Sequence, residues 1–362
     1  MIKYIPFLKA KSNETQALEE LYSKNNSIFE EITPFFDIPR DSANQTFENI
    51  FGKISSFKKR LAGKELFRMM EFYVDNFDLD DTILIAGKEQ YNFLLSTLSD
   101  YNCIPVMGLN RSISHNNSAL EWLSLNGGKI AIRLTFEDIE SYRITKLDLT
   151  KIIGKINTSQ LSELHLIIDL RYISPVGTAK LIDSVERFIL DVRKDFHFDK
   201  TIISGSSIPA NISNLLDTYQ SKTFPREEWK IWEELTKVRG INYLVFSDYG
   251  IVSPEYSDID LDPKLFRKIS APKVFYTYKG RMLCVRGGSF QNDERGNGQY
   301  YDIATMIHGQ SFFRDINFSF GEKYIYERSE HSPCRPDKAG SPSSWIKAML
   351  TSHISFVIKS LT

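Results

Sequence analysis

Tyr243-Leu244-Val245-Phe246-Ser247-Asp248-Tyr249-Gly250 decides how the chain is read. Strand-forming apolar residues run to Phe246 and give way at once to serine, aspartate, tyrosine and glycine, the pattern of a strand that ends at the rim of a pocket. Whether this strand closes a ring depends on what precedes it. Working back from it, short apolar runs alternate with amphipathic segments. The runs predict strands at 4–8, 32–38, 82–85, 103–109, 129–134, 164–170, 200–204 and 243–246. Between them, helical spacing appears from Asn13 to Leu21, over 44–76 in two pieces around Gly63, over 88–98, after a Ser112 or Ser114 cap, over 147–156, from Pro175 to Val192, and from Pro225 to near Gly240.

Strands alternating with helices through short connections predict a parallel sheet, because each crossover returns the chain to the same end. Eight is the number at which such a sheet closes. The expected fold is therefore α/β, a (β/α)8 TIM-barrel-like domain over 1–250, with an open doubly wound sheet as the alternative. After Gly250 the pattern changes. Residues 273–278 and 281–286 flank Lys279-Gly280 and predict an antiparallel hairpin. Residues 299–308 and 343–361 then predict helices, giving a C-terminal β-hairpin and helical extension over 251–362.

Composition narrows the function classes. Across 362 residues, 45 basic residues stand against 46 acidic ones, so net charge indicates no nucleic-acid partner and no anionic membrane surface. No apolar run approaches a membrane span, and the N-terminus has no signal-peptide core. Cys103, Cys284 and Cys334 are scattered singly, which fits a reducing cytoplasm better than a disulfide framework.

In a parallel barrel, side chains at the carboxyl ends of the strands converge on one mouth. Those ends carry Lys9, Asp37, Asn110, Arg133, Asp169, Arg171, Ser204, Ser206, Asp248 and Tyr249. Lys9, Arg133 and Arg171 are donors suited to a phosphate or carboxylate, with Asp37, Asn110, Ser206 and Tyr249 completing a ligand site. Asp169 and Asp248 are the candidate catalytic carboxylates. The plainer alternative is that the acids and bases pair with one another and fill the mouth.

Other motifs are weaker. Asp37, Asp169 and Asp248 offer oxygens for Mg²⁺, but no His-x-His or His-Glu-x-x-His spacing supports a metal site, and none is expected. Asp258-x-Asp260-x-Asp262 begins like a calcium loop, yet Pro263 stands where glycine is needed and Ile269 where the bidentate glutamate belongs. His331 and Cys334 make at most half a zinc site, and His165 and His308 read as structural. The glycines from Gly287 to Gly298 contain no nucleotide-binding fingerprint, and no cofactor is named by any motif. Three irregular segments, 251–272, 287–298 and 327–343, are expected as a lid or as a surface for a protein partner, with Tyr276 and Tyr278 of the hairpin available for stacking.

A set of segments carries a family resemblance. Tyr4-Ile5-Pro6-Phe7-Leu8-Lys9-Ala10-Lys11 with Glu14 and Ala17, Ile32-Thr33-Pro34 with Ile38-Pro39, Asp169-Leu170-Arg171-Tyr172, Phe246-Ser247-Asp248-Tyr249-Gly250-Ile251-Val252 and Leu283-Cys284-Val285-Arg286-Gly287 occur in that order. Together they resemble the beta protein family, named for a phage T4 product, from residue 4 to about 290 and on toward the end. The resemblance implies a setting in phage–host conflict or anti-phage defence and brings no catalytic residues with it. The function expected is binding of a polar or anionic, phosphate- or nucleotide-like, small molecule at the mouth. A non-catalytic sensor or interaction partner of a defence or toxin–antitoxin-like pair is the alternative.

Overall fold

The computed structural model describes residues 2–40, 45–241, 244–256 and 270–361. The first residue of the expected eighth strand, Tyr243, and the Asp258–Asp262 acidic run lie outside them. The chain divides into two compact units, one of residues 1–11, 29–207 and 227–249, the other of residues 12–28, 208–226 and 250–362.

The first unit is a closed ring of parallel strands. In chain order these are β1 (Tyr4–Lys9), β2 (Phe35–Asp37), β3 (Glu71–Asp75), β4 (Asn102–Gly108), β5 (Gly128–Leu134), β6 (Leu161–Tyr172), β7 (Lys200–Ser206) and β8 (Leu244–Asp248). Each pairs with its sequence neighbours, and β8 pairs with β1 in the register Tyr4↔Phe246, Ile5↔Ser247 and Pro6↔Asp248. That last pairing closes the barrel and rules out the open sheet.

One strand is not where the sequence placed it. Residues 82–85 do not join the ring; Leu84–Ile85 forms a small antiparallel hairpin with Lys88–Glu89. The third strand is Glu71–Asp75, inside the stretch expected to be helical. Helix Phe47–Leu61 ends before Gly63, and the five-residue helix Glu65–Met69 leads through Met70 alone into β3. With almost no loop between them, helix and strand merge into one apolar pattern.

Alternation along the strands sorts the barrel interior into layers. At the base, Lys129 contacts Glu71 (2.6 Å) and Glu163 (3.4 Å), Lys200 reaches Glu163 (2.5 Å), and His165 bridges Glu163 (2.7 Å) and the Tyr73 hydroxyl (2.7 Å). One step up, Phe7 stacks on Phe35 at 3.9 Å, with Ala131, Ile167 and Ile202 buried at the corresponding steps of their strands. One step higher stand Lys9, Asp37, Asp75, Arg133 and Asp169, all buried. The outer faces are apolar. Phe36 and Phe72 meet Phe57, which lies with Ile50, Ile54 and Leu61 on the buried stripe of helix Phe47–Leu61. Phe246 packs against Trp229 and Trp232 of helix Glu227–Thr236.

The second unit holds a three-stranded antiparallel sheet in which Arg281–Arg286 lies between Gln220–Pro225 and Lys273–Tyr278. The hairpin was expected. The strand ending at Pro225 was not, because a proline just ahead of a helix is equally compatible with the helix's first turn, and here the helix begins only at Glu227. Helices Ser12–Lys24, Gln299–His308, Phe320–Arg328 and Pro342–Ser360 complete the unit. A Cβ on Gly321 would lie 2.2 Å from the Ala348 carbonyl oxygen, so helices Phe320–Arg328 and Pro342–Ser360 approach as closely as they do only with glycine there. No described helix is long and apolar enough to cross a membrane.

The base layer generates a pH dependence. Burial drives His165 down from its ordinary 6.5 to about 4, with Glu163 acting in the opposite direction. The neutral ring therefore donates from Nε2 to Glu163 and accepts from Tyr73 at Nδ1. Between pH 6.5 and 4 the unfolded chain takes up a proton at this position that the folded chain refuses, so this contribution to stability is present above 6.5 and is lost as pH falls toward 4. The stability advantage of the parent chain over His165→Gln, measured by urea unfolding, should shrink by up to about 3 kcal/mol across that window. A pH-independent difference would contradict the neutral-histidine assignment.

Candidate functional site

The site is assembled on Arg133, near the end of β5. Its Nε and Nη2 donate to Asp169 Oδ2 at 3.1 and 2.6 Å, its Nη1 donates to Asp75 Oδ2 at 2.9 Å, and its Nη2 also reaches the Tyr249 hydroxyl at 3.1 Å. Tyr249 in turn donates to Asp169 Oδ2 at 2.6 Å. Burial, followed by the nearby Asp169 charge, raises the Tyr249 pKa and keeps it a neutral donor. Burial opposes ionisation of Asp75 as well, but Arg111 and Arg133 outweigh it and hold that carboxyl below its usual range.

A second cluster is built around Asp78, in the loop that leaves β3. Lys9 Nζ lies 2.8 Å from Asp78 Oδ2 and 3.1 Å from Asp37 Oδ2, while Arg171 Nη2 lies 3.1 Å from Asp78 Oδ1. Although buried, Asp78 is held at about 2 by Lys9 and Arg171. Asp37 goes the other way: desolvation raises its pKa against the pull of Lys9. Its Oδ1, with Arg133 Nη1 4.0 Å away, finds no hydrogen-bond donor among the described residues, and neither does the buried Asn76 Nδ2 find an acceptor.

Between the clusters lies the Phe77 ring, with the guanidinium carbons of Arg133, Arg171 and Arg111 at 4.2, 5.0 and 5.7 Å from its centroid. Arg111 also reaches Asn76 Oδ1 (2.5 Å), His115 Nδ1 (3.0 Å), the Phe77 carbonyl (3.2 Å) and Asp75 (3.4 Å).

Arg171 sits on an irregularity. Asp169 pairs with Ser204 but Tyr172 with Ser206, so β6 carries one residue more than β7 over this step. The bulge puts Arg171 at φ +53°, a left-handed conformation uncommon for a side chain of this size, and its N–H donates to Asp169 Oδ1 at 3.0 Å.

Of the residues expected at the mouth, Lys9, Asp37, Arg133, Asp169, Arg171 and Tyr249 come together in this network. Ser204, also at a strand end, contacts the Ser247 hydroxyl at 3.2 Å, and Ser206 is buried at the end of β7. Asn110 is exposed on the loop after β4. Asp248 faces the other way. On β8, Ser247 and Tyr249 point inward, whereas Phe246 and Asp248 share the outer face, where Asp248 accepts from the Tyr4 hydroxyl at 2.5 Å. Asp169 and Asp248 therefore do not face each other, and Asp248 does not share an ion site with Asp37 and Asp169.

Sequence reasoning missed Asp75, Asn76, Phe77 and Asp78 because it assigned β3 to another segment. The signal was present in Phe72-Tyr73-Val74 followed by Asp75-Asn76, a strand composition ending in turn formers. Also missed was a close group of possible metal ligands: Asp81, Glu89 and His115 place one ligand atom each within 4.8 Å of one another. Both His115 nitrogens are already engaged, Nε2 with the Val106 carbonyl at 2.9 Å and Nδ1 with Arg111.

The sequence matches no curated protein. Among solved structures the chain is similar to alanine racemase of Clostridium difficile 630 in complex with cycloserine, at 9% identity and a TM-score of 0.39, over 96% of this chain and 86% of that one. The barrel assignment rests on the ring of strand pairings. The family model described as Beta protein matches residues 4–359, and the chain belongs to that family.

Proposed function

We propose that the carboxyl-end mouth of the barrel binds a small anionic ligand carrying phosphate or carboxylate, in the phage–host setting that the family resemblance implies. The observation that carries this reading is Arg171. A left-handed backbone at a non-glycine residue costs on the order of 1 kcal/mol, and a cation held there above a ring and against a carboxylate is a device for presenting charge rather than for stabilising a strand. Lys9 and Arg133 stand beside it as further donors. The unsatisfied Asp37 Oδ1 and Asn76 Nδ2 are an acceptor and a donor with capacity for a polar guest.

Chemical roles follow from the bonding. Asp169 accepts from Arg133, Tyr249 and the Arg171 amide, which makes it a positioning group for the cations. Asp37, with its raised pKa and free oxygen, is the carboxyl best suited to hold or release a proton. The alternative of a stacking surface on the hairpin is less favoured. Tyr276 and Tyr278 use their rings within the second unit, on Phe312, Phe313 and Arg314.

Arg171→Gly separates function from stability. Glycine relieves the strained φ, which offsets part of the loss of the Asp78 ion pair, the Phe77 contact and the other contacts of this side chain, so the unfolding free energy should fall by no more than about 2 kcal/mol from the parent. In a thermal-shift panel of nucleotides, phosphosugars and inorganic phosphate, at least one anion should stabilise the parent, by about 2.7 kcal/mol at a hundredfold excess over Kd, and should lose that effect in Arg171→Gly. A loss of several kcal/mol of stability in the variant would make Arg171 structural, and a parent that no anion stabilises would remove the reading. For the biological setting, expression in a phage-sensitive host should change plating efficiency for at least one phage, and Arg171→Gly should abolish the change.

A further inference from the structure

Two positions in the mouth are filled by the chain itself. The Phe77 ring lies against the guanidinium groups of Arg133 and Arg171, and the adjoining Asp78 carboxylate lies between Lys9 and Arg171. Both belong to the loop that leaves β3, whose backbone is held from outside by side chains: Arg111 donates to the Phe77 carbonyl at 3.2 Å and Gln90 to the Asp80 carbonyl at 2.6 Å. Gln45 brackets it, donating to the Asp78 carbonyl at 3.1 Å and accepting from the Asp80 amide at 3.1 Å, and the Leu79 amide closes a turn on Asn76. An aromatic face on a guanidinium, joined by a short link to an anion between a lysine and an arginine, is the recognition pattern of a mononucleotide.

We propose that Phe77-Asp78 is an internal occupant of the ligand site, and that the ligand is a nucleoside monophosphate whose base takes the place of the ring and whose phosphate takes the place of the carboxylate. This rests on the mouth being an anion site and adds what the anion is attached to and what it must displace. Apparent affinity is the intrinsic affinity reduced by the fraction of molecules in which the loop has withdrawn, so a loop displaced in one molecule in ten weakens binding about tenfold. The same exchange makes Asp78 a discriminator. A lone carboxylate gains nothing over the one already present, whereas a phosphate brings more charge and a third oxygen for Arg133 or Arg111.

The test is calorimetric titration of AMP and of inorganic phosphate into the parent chain, Asp78→Asn and Phe77→Leu, each checked for folding by circular dichroism. AMP should bind Asp78→Asn at least about tenfold more tightly than the parent. It should also bind the parent more tightly than inorganic phosphate does. Equal AMP affinity in parent and folded Asp78→Asn would overturn the occupant. A phosphosugar or inorganic phosphate binding the parent as tightly as AMP would overturn the nucleotide class while leaving the anion site intact. Absence of any anion binding in parent and variants would instead remove the reading beneath. Because Asp78→Asn leaves Lys9 and Arg171 close together and can fail to fold, the parent chain gives a second measurement. Saturating AMP should speed amide deuterium uptake across residues 76–83, and unchanged or slower uptake would overturn displacement of the loop.

Discussion

The barrel is organised around one buried cation. Arg133 is 2% exposed and bonds Asp75, Asp169 and Tyr249, side chains delivered by β3, β6 and the end of β8. A guanidinium removed from water is expensive unless its donors are matched, and removing one partner of such a pair costs about 3–5 kcal/mol. The register of those segments is therefore coupled. A one-residue slip in β3 or β6 would turn its aspartate to the outside and leave the arginine unmatched. The network is weak as a source of net stability and strong as a specifier of which residues face inward.

That constraint explains the vertical order of the interior. Lys129, Ala131 and Arg133 occupy successive inward positions of β5, and Glu163, His165, Ile167 and Asp169 those of β6. Both of these strands thus pass from a polar base through an apolar step to a charged top. The aromatic step, Phe7 on Phe35, separates the two polar layers and lowers the local dielectric for the upper one. Electrostatic interactions there are stronger than they would be at an open surface, which is why Asp78 is driven to about 2 while Asp37, less well compensated, is driven up. Carboxylates on neighbouring segments are pushed in opposite directions by the balance of burial against nearby cations.

Much of this was legible in the sequence, for identifiable reasons. Closure followed from counting strand–helix alternations, and Lys9, Asp37, Arg133, Asp169, Arg171 and Tyr249 followed from reading strand ends as a mouth. What failed was local. Phe72-Tyr73-Val74 and Thr82-Ile83-Leu84-Ile85 are both short strand-like runs, and nothing in either says which one has a partner in the ring. The third strand is decided by pairing with Phe35 and Phe36 on β2 and with Cys103, Ile104 and Pro105 on β4, which is long-range information. Asp248 failed differently. Its strand was placed correctly, but a period of two means that either Asp248 or its neighbours point inward, and the contacts of Phe246 with Trp229 and Trp232 settle it. The Arg171 bulge was likewise invisible, because the residues flanking it read as ordinary strand.

The misplaced strand matters beyond bookkeeping, because the loop after it carries the groups that occupy the mouth. With β3 at 82–85, Phe77 and Asp78 belong to a linker before a strand and have no reason to meet Arg133 or Lys9. With β3 ending at Asp75, the next residues emerge at the carboxyl end of the barrel, where the parallel ring has already gathered Lys9, Arg133 and Arg171. An unsheltered set of cations that close would repel itself, and the chain offsets this with the nearest available anion, Asp78. The charge pairing that reads at first as mere filling of the mouth and the charge presentation that a ligand needs are thus the same contacts. They are distinguished only by whether the carboxylate can be exchanged for a better anion. Asp78 stands on a loop, whereas Asp37, Asp75 and Asp169 are fixed on strands, so among these four it is the carboxylate whose exchange would leave the strand pairings of the ring intact.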